Sequence, residues 1–473
     1  MLPNCPEFLW AVWGLGKLGA VAVPINTAAK GELLQYFLSQ SDSAWVVVDE
    51  EWAGRIAEVA PRLTGIKGFL HHGTGPGAAI LGALGPPVTD LREMERGSPE
   101  PQPPGLVRHT DLHFIMYTSG TTGPSKGVMC PHSQGHAVGH HLVTHFGYGP
   151  GDVLFTCLPI FHANALWYTC YAALWAEATA VLSPRFSASQ FWHEVKACGA
   201  TQFNTLSAMT NILWKSSPSE QDRDHSLRQC MAVPVPKEVY QAFQDRYRVG
   251  LNSWYAATET FAVTLFRSDD PAEKAGSAGK TRGYGAVQIV DEARRPLPAG
   301  QVGEICVRPL EPGIMMSGYY KMPEATLAAV HDLWFHTGDR GYLDEDGYLF
   351  FVDRIKEAIR RRGENISAYD IESVIAKHPD VLEAAAIAVP SELGEDEVMV
   401  YLVRRHGAAI SPKELIEFCA KNMAYFMVPR FVEFIDGLPK TASGKIEKYK
   451  LKKMATERAP AWDREAAGIK LAR

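Results

Sequence analysis

The stretch TSGTTGPSKG at residues 118–127 decides how the chain is interpreted. Glycine lets a backbone turn closely around an anion, hydroxyl groups donate hydrogen bonds, and Lys126 adds a positive charge. The order of residues differs from the common nucleotide loop, in which the lysine follows a glycine and precedes Ser or Thr. The stretch therefore predicts a phosphate site of another kind, which follows a buried strand over residues 113–117 (HFIMY).

Helix-like and strand-like segments alternate around this loop. Residues 7–19 have helical spacing and end in glycine, and residues 20–24 (AVAVP) and 44–49 (AWVVVD) predict buried strands. At 473 residues the chain is too long for one hydrophobic core. The alternation predicts an α/β fold, with a large N-terminal domain of several subdomains and mostly parallel sheets.

The composition changes at a predicted boundary between a large domain (1–353) and a small domain (354–473). Two helices of the small domain are predicted to open with capping boxes, which pair Ser367 with Asp370 and Ser411 with Glu414. Strand-like segments lie between the helices, so the small domain is predicted to be α+β. Charged residues at the join predict a hinge between the domains.

Charge and cysteine usage exclude several classes of protein. A net charge of −6 gives no electrostatic reason to bind nucleic acid. The eight cysteines form no Cys-x-x-Cys pair and no cluster with histidine at metal-ligand spacing, which predicts free thiols and a cytoplasmic location. The most membrane-like stretch, residues 163–182, contains Asn164 and Glu177, so we predict a buried helix followed by a strand, without a transmembrane segment. No signal peptide is predicted.

Four further motifs carry polar residues, and some of these are of the kinds that a nucleotide requires. They are LPIFHAN (158–164), WYAATET (254–260), WFHTGDRGYLDEDGYLFFVDRIKE (334–357) and LPKTASGKIEK (438–448). The second offers an aromatic ring for a base, a hydroxyl for a phosphate and a carboxylate for Mg²⁺. Alone, the histidine of the first motif is more often structural, and a lysine near the C-terminus is more often dispensable.

In this order, the five motifs resemble the adenylate-forming (AMP-binding) superfamily of acyl-CoA synthetases, aryl-CoA ligases, peptide-synthetase adenylation domains and luciferases. The resemblance implies ATP-dependent activation of a carboxylic acid to acyl-AMP, then transfer to CoA with release of AMP, after pyrophosphate. ATP, Mg²⁺ and CoA are the implied cofactor set. Residues 363–379 and 418–448 are most similar to crotonobetaine/carnitine-CoA ligases, which implies a small or medium carboxylic acid as substrate.

The resemblance also implies a role for individual residues. Those implied to hold the β- and γ-phosphates of ATP are Thr118, Ser119, Gly120, Thr121, Thr122, Gly123 and Lys126. Those implied for the rest of the nucleotide are Tyr255 at the adenine, Thr258 at the α-phosphate, Glu259 at Mg²⁺, and Asp339 and Arg354 at the ribose. Those implied for acyl transfer are Lys445 between the substrate carboxylate and the α-phosphate, His162 beside the acyl pocket, Gly363 along the CoA tunnel and Lys356 as the hinge. Lys445, His162, Thr118 and Glu259 form the implied catalytic set.

Three features depart from the family pattern. Family members usually begin a few dozen residues earlier, so the start was assigned late or the first subdomain is incomplete. The usual Gly-Gly-Ala-Pro stretch is MAVPVP at residues 231–236, and the usual Tyr-Gly pair is Tyr255-Ala256, which reshapes the pocket. Trp167 or Trp254 would face a quaternary ammonium group if the substrate carries one, although large aromatic residues are more often core.

Two alternatives remain open from the sequence. Adenylation followed by transfer to a carrier-protein thiol or an amine would use the same motifs. A truncated, non-catalytic nucleotide- or acyl-binding protein would retain them without turnover. The oligomeric state is left as monomer or homodimer.

Overall fold

The computed structural model consists of a large N-terminal domain and a small C-terminal domain. It describes residues 1–97, 100, 105–118, 124–233, 237, 240–354, 358–391, 394–439, 446–458 and 460–471. The predicted phosphate-loop residues 119–123, the predicted hinge residue Lys356 and the predicted catalytic residue Lys445 lie outside the described residues.

Helices cover the sheets of the large domain. They are α1 (Pro6–Lys17), α2 (Gly31–Gln40), α3 (Ala53–Val59), α4 (Gly77–Gly82), α5 (His132–Phe146), α6 (Ala163–Ala165), α7 (Ala172–Trp175), α8 (Phe191–Ala197), α9 (Ser207–Lys215), α10 (Tyr240–Tyr247) and α11 (Pro323–Ala329). Short 3-10 helices lie at Glu50–Trp52, Ala60–Arg62, Leu91–Arg96, Glu220–Asp222 and Ala272–Lys274. Helix α1 agrees with the helix predicted over residues 7–19, and proline in its first turn is favourable because no N–H is needed there.

Two sheets of the large domain are built mainly from parallel strands, as predicted. The first pairs β1 (Trp45–Asp49), β2 (Gly68–His72) and β3 (Val88–Asp90). The second has the order β11-β10-β9-β8-β6-β7, with β6 (Val153–Thr156), β7 (Thr179–Leu182), β8 (Gln202–Leu206), β9 (Gln229–Val233), β10 (Gly250–Tyr255) and β11 (Thr264–Phe266). Only β11 is antiparallel to its neighbour among the described strands. The loops after the carboxyl ends of β6 and β10 carry His162 and Glu259, which places these residues at one edge of the sheet.

The remaining strands of the large domain are antiparallel. The hairpin of β4 (Leu112–Thr118) and β5 (Lys126–Pro131) encloses the phosphate loop. A five-stranded sheet contains β12 (Gly285–Val290), β13 (Gly303–Pro309), β14 (Val330–His331), β15 (Trp334–Leu343) and β16 (Leu349–Arg354). Residues 20–24, which were predicted as a strand, make only a single parallel bridge, from Ala22 to Phe114 of β4.

The small domain is α+β, as predicted. Its strands are β17 (Ala358–Arg361), β18 (Glu364–Ser367), β19 (Val381–Pro390), β20 (Asp396–Arg404), β21 (Phe431–Phe434) and β22 (Trp462–Asp463), and its helices are α12 (Ala368–Ile375), α13 (Pro412–Asn422) and α14 (Lys448–Glu457). Ser411 and Glu414 form the predicted capping box of α13. Ser367 Oγ accepts from the backbone N–H of Asp370 at the start of α12, whereas the Asp370 carboxylate binds a residue of the large domain, described below.

The central part of the membrane-like stretch is buried in the protein core, whereas Leu174 and Trp175 are half-exposed. Residues 163–182 form α6, a π-helical turn at Leu166–Tyr171, α7 and β7, in agreement with the predicted helix and strand. Trp167 and Tyr171 within it are at most 1% exposed. Among the described residues, no helix has the length and apolar character needed to cross a membrane.

Two buried histidines, His113 on β4 and His141 on α5, couple the stability of this core to pH. Burial lowers the pKa of His113 to about 4 and, with help from the charges of His145, His140 and Arg282, that of His141 to about 3. In the unfolded chain both return to about 6.5. The unfolded state therefore binds more protons below about pH 6.5, and the free energy of unfolding falls as the pH is lowered through this range.

We expect each of these histidines to remove on the order of 3 kcal/mol from the free energy of unfolding between pH 7 and pH 4. Urea denaturation at a series of pH values measures the slope. His141→Leu should flatten it, and His193→Leu, at an exposed position of α8, should leave it as in the wild type. An identical slope in the wild type and His141→Leu would contradict the assignment.

Candidate active site

A cleft of about 1510 Å³ lies between the large and the small domain. Among the predicted site residues, those that line it are Thr118, Lys126, His162, Thr258, Glu259, Asp339 and Gly363. Tyr255 is buried directly beneath, with 7% of its surface exposed. Arg354 is described by its backbone alone. The cleft therefore brings together residues that are as much as 245 positions apart in the sequence.

The β4–β5 hairpin fixes both ends of the phosphate loop. Thr118 and Lys126 are register partners at the open end of this ladder, so antiparallel pairing places the first and last predicted phosphate ligands side by side. The Lys126 Nζ atom lies 5.0 Å from the centre of the Tyr319 ring, within the range of a cation–π contact. The two described ends of the loop therefore lie side by side in the cleft, and Lys126 is at one of them.

Glu259 lies at the centre of this end of the cleft. Its Oε1 atom accepts a hydrogen bond of 3.0 Å from the Tyr319 hydroxyl and lies 3.5 Å from Thr118 Oγ1. Burial, reinforced by the charge of Glu259, raises the pKa of Tyr319, so the phenol remains a hydrogen-bond donor. A carboxylate oriented in this way beside the phosphate loop fits Mg²⁺, which prefers oxygen ligands.

Gln134, a fully buried residue of α5, holds the turn that carries Thr258 and Glu259. Its amide nitrogen donates to the carbonyl oxygens of Thr258 at 2.9 Å and Thr260 at 2.5 Å. A buried amide that bonds to two backbone groups fixes a loop with few alternatives. The helix after the phosphate loop therefore also positions the predicted magnesium ligand.

The predicted ribose and adenine residues form one connected group. The Tyr255 hydroxyl donates to Asp339 Oδ2 at 2.7 Å, and both residues are buried. Asp339 is the register partner of Arg354 across β15 and β16, so the two predicted ribose ligands lie on adjacent strands. Tyr255 thus contacts the carboxylate of the predicted ribose ligand through its hydroxyl, which adds an orienting role to the predicted contact with adenine.

His162 joins the two domains across the cleft. Its Nε2 atom lies 2.9 Å from Glu364 Oε2, and Asn26 Nδ2 donates to the other carboxylate oxygen at 3.2 Å. Burial alone lowers the pKa of His162, but the charge and the hydrogen bond of Glu364 outweigh it and raise the pKa above its usual value. The ion pair is therefore present at low pH and is lost as the pH rises through the raised pKa.

Replacing Glu364 should reverse this shift. In Glu364→Gln the burial of His162 remains while the opposite charge is gone, so we expect the pKa of His162 to fall from above to below about 6.5. NMR titration of the histidine ring signals, assigned with His162→Gln, measures both values. Glu417→Gln, at an exposed carboxylate of α13, is the matched control. A His162 pKa that is the same in the wild type and Glu364→Gln would contradict the proposed ion pair.

Further contacts hold the small domain against the large one. Ser125 Oγ, at the end of the phosphate loop, donates to Asp370 Oδ2 at 2.7 Å. Burial raises the pKa of Asp370 to about 6, although the bond to Ser125 acts in the opposite direction. The turn between β17 and β18 brings Gly363 against Leu206. The small domain therefore reaches both the phosphate loop and the opposite wall of the cleft.

The wall beyond His162 is apolar and aromatic. Trp254 and Tyr168 stack with ring centres 4.6 Å apart, and both line the cleft. Trp167, by contrast, is 1% exposed and packs against Gly135. Of the two tryptophans considered for a quaternary ammonium group, only Trp254 is among the residues that line the cleft.

The stretch MAVPVP begins at the end of β9, and its last three residues lie outside the described part of the chain.

Sequence reasoning missed the residues that orient the predicted ones. They are Asn26, Gln134, Tyr319, Glu364 and Asp370. Glu364 directly follows the predicted Gly363, which was the one available signal. Asp370 was predicted only as a capping-box residue of α12, and no local pattern distinguishes Asn26, Gln134 and Tyr319 from ordinary polar residues.

Comparisons with known families agree with the motifs. Residues 1–320 match the family model of AMP-binding enzymes, and residues 370–445 match that of the AMP-binding enzyme C-terminal domain. A crotonobetaine/carnitine–CoA ligase from Salmonella paratyphi A is 32% identical over 455 residues, which cover 95% of this chain and 87% of that protein.

Solved structures of related enzymes share the fold. O-succinylbenzoate CoA synthetase from Bacillus subtilis, as a double mutant bound to a product analogue, matches with a TM-score of 0.80 at 25% identity, covering 96% of this chain and 87% of that one. The same enzyme with its acyl-adenylate intermediate gives 0.64 at 25% identity, covering 95% and 86%. An amide bond synthetase from Marinactinospora thermotolerans gives 0.81 at 25% identity, covering 96% and 88%. With its motifs, its fold and these relatives in agreement, the chain belongs to the AMP-binding, adenylate-forming enzymes.

Proposed function

We propose that this protein activates a carboxylic acid and transfers it to CoA in a single cleft, with the small domain taking a different part in each step. The overall reaction is that of an AMP-forming acid–CoA ligase: acid, ATP and CoA give acyl-CoA, AMP and pyrophosphate, with Mg²⁺ as the metal ion. What is proposed beyond this reaction is the role of each residue and the arrangement of the domains.

The observation that carries the proposal is the position of the β17–β18 hairpin in the cleft. Gly363 lies against Leu206, and Glu364 pairs with His162. The chain agrees better with the related synthetase holding a CoA-product analogue (TM-score 0.80) than with the same enzyme holding an acyl-adenylate (0.64). These values support the view that the arrangement seen is the one that accepts the thiol.

The first step needs positive charge where two anions meet. A carboxylate oxygen attacks the α-phosphorus of ATP, a new P–O bond forms, and the bond to pyrophosphate breaks. We assign Lys126 to the β- and γ-phosphates, Thr258 to the α-phosphate, and Lys445 to the point of attack, where it offsets the developing charge. A Mg²⁺ ion held by Glu259 would supply further electrostatic stabilisation of the phosphates.

The second step is thiol attack on the acyl-AMP carbonyl. A C–S bond forms, the C–O bond to AMP breaks, and AMP leaves. Gly363 is assigned to the wall of the CoA tunnel because its φ of 80° and its contact with Leu206 leave no space for a side chain. His162, held by Glu364, borders the acyl group at the inner end of that route.

The proposed domain boundary lies between residues 353 and 354, with Lys356 as the hinge. Strand β16 of the large domain ends at Arg354, and β17 of the small domain begins at Ala358. The connection between the two sheets therefore spans only residues 355–357. Rotation about so short a segment would move the small domain as one body.

The test uses the purified full chain with ATP, Mg²⁺, CoA and a mixture of small and medium carboxylic acids, followed by mass spectrometry for acyl-CoA. A new thioester supports the ligase and names its acid. Acid-dependent ATP–pyrophosphate exchange without a thioester would overturn the CoA step alone. Inactivity in both assays would favour a non-catalytic binding protein.

An amine acceptor is the second candidate, because an amide bond synthetase matches the fold with a TM-score of 0.81. Acyl-AMP formed in the first step would then be captured by an amine or a carrier-protein thiol instead of CoA. Adding a mixture of amines to the same assay distinguishes the candidates, because an amide product forms only if the amine reaches the acyl carbon. The 32% identity to a crotonobetaine/carnitine–CoA ligase favours CoA.

The cytoplasm is the proposed location of the protein, and a monomer or a homodimer is its proposed assembly. All eight cysteines are free thiols, and six are buried, which supports the cytoplasm as the proposed location. Monomer and homodimer remain the proposed assembly states, and sedimentation analysis separates them.

A further inference from the structure

We propose that Glu304, Cys306 and His336 form a binding site for a zinc-type divalent cation beside the part of β15 that carries Asp339. Glu304 and Cys306 are two residues apart on β13, and His336 is the register partner of Cys306 on β15. Residues two apart on a strand share one face, so all three side chains converge there. Among the described residues, their three donor atoms lie within 4.8 Å of one another.

The distances suit a four-coordinate ion. His336 Nδ1 lies 2.7 Å from Glu304 Oε2 and 3.4 Å from Cys306 Sγ. Tetrahedral zinc with ordinary bond lengths separates its ligand atoms by roughly 3.3–3.6 Å. The sulfur–nitrogen distance is already close to this range, and the oxygen needs to move by only about 0.6 Å.

The donor set indicates the class of ion. One ring nitrogen can donate or accept a single hydrogen bond, yet His336 Nδ1 faces both a carboxylate and a thiol. A cation at the centre would bind all three groups at once. Sulfur and imidazole select zinc-type ions over Mg²⁺, which prefers oxygen ligands alone.

The site is accessible from the cleft and has a candidate for its fourth ligand. Glu304, His331 and His336 line the cleft, whereas Cys306 is fully buried behind them. The ring of His331, on β14, is 5.2 Å from that of His336 and nearly perpendicular to it. The fourth position is therefore open to His331 or to water.

Binding should release a proton. Sulfur binds a metal ion as the thiolate, so an ion must displace the proton of the Cys306 thiol into solvent.

An ion here would disturb the nucleotide site. The backbone N–H of Gly338 donates to Glu304 Oε1 at 3.1 Å, and the sheet is bulged at this point. The next residue is Asp339, the proposed ribose ligand. A shift of the Glu304 carboxylate to admit an ion weakens its hydrogen bond to this turn, so the ion and the nucleoside should oppose each other. This coupling rests on the proposed function, whereas ion binding does not.

The experiment uses Co²⁺ as a spectroscopic probe of the full chain without nucleotide. We expect one ion per chain and a sulfur-to-cobalt absorption band, with Zn²⁺ displacing the cobalt. Cys306→Ser should lose the band, and His336→Gln should bind at least about tenfold more weakly. Cys198→Ser, at a partly exposed thiol elsewhere, should behave as wild type. Circular dichroism establishes that each variant is folded.

The ion site and its coupling to nucleoside binding are tested separately. A cobalt band that persists in folded Cys306→Ser, or the lack of stoichiometric binding by the wild type, would overturn the site. Binding of adenosine, which has no phosphate to chelate the ion, tests the coupling: Zn²⁺ should weaken it in the wild type and not in Cys306→Ser. Equal adenosine affinity with and without Zn²⁺ would overturn the coupling alone. Failure to bind adenosine in either condition would count against the proposed function, while the cobalt band would still decide the ion site.

Discussion

Lys445→Ala is expected to slow formation of acyl-AMP by about 10²–10³-fold and to leave the thioester step nearly unchanged. This is the effect of removing a single group that stabilises the charge of a transition state. Negative charge accumulates where the substrate carboxylate meets the α-phosphate, and the proposed role of this lysine is to offset it only during the first step. Acid-dependent ATP–pyrophosphate exchange measures that step. Chemically prepared acyl-AMP with CoA measures the second.

The matched control for this variant is Lys450→Ala. Lys450 is a nearby, half-exposed lysine of α14 whose partner is Glu447 on the same segment, so its loss removes a positive charge without reaching the cleft. It should retain both half-reactions. Normal pyrophosphate exchange by Lys445→Ala would show that the assigned role is wrong, and equal loss of both half-reactions would indicate a structural defect.

Gly363→Leu is expected to produce the opposite pattern, with the thioester step slowed by about 100-fold and pyrophosphate exchange retained. A Cβ atom at Gly363 would lie 2.3 Å from Leu206 Cδ1, so a leucine at this position overlaps the Leu206 side chain unless one of the two is displaced. The small domain would then be held away from the docked position, in which Gly363 completes the wall of the CoA tunnel. Only the step that requires this docking should suffer.

Backbone strain is separated from the clash by Gly407→Leu. Gly407 lies in the same domain with the same φ of 80°, but its Cβ would meet no atom within 4 Å. Both variants therefore carry a left-handed leucine, at a cost of about 1–2 kcal/mol, and only Gly363→Leu blocks the cleft. A thioester step slowed equally in both variants would contradict the docking argument. So would a Gly363→Leu variant with normal transfer to CoA.

The periodic part of the fold was predictable because it depends on local patterns. The strand before the phosphate loop, helix α1 and the capping box of α13 all follow from residues within a few positions of one another. The segment over residues 20–24 had the same apolar character but forms only a single bridge to β4. Whether an apolar segment forms a strand depends on the neighbouring strand with which it pairs, and the apolar character of the segment does not identify that neighbour.

The candidate site divides in the same way. Residues with chemical roles occur in recognisable motifs, and the cleft contains Thr118, Glu259 and Asp339 as predicted. The groups that orient them, such as Gln134 and Tyr319, act through contacts between segments more than 50 residues apart. A buried amide or phenol has no local signature of such a role, so only the three-dimensional structure identifies it.

The hydrogen bond from Ser125 to Asp370 has a consequence for the order of events in turnover. It places a carboxyl group of the small domain at the end of the phosphate loop, with a pKa of about 6. At neutral pH a carboxylate and pyrophosphate would repel each other at that position, so pyrophosphate must depart before this contact forms. Steady-state kinetics should then be ping-pong, with pyrophosphate released before CoA enters, and double-reciprocal plots for ATP at several CoA concentrations should be parallel.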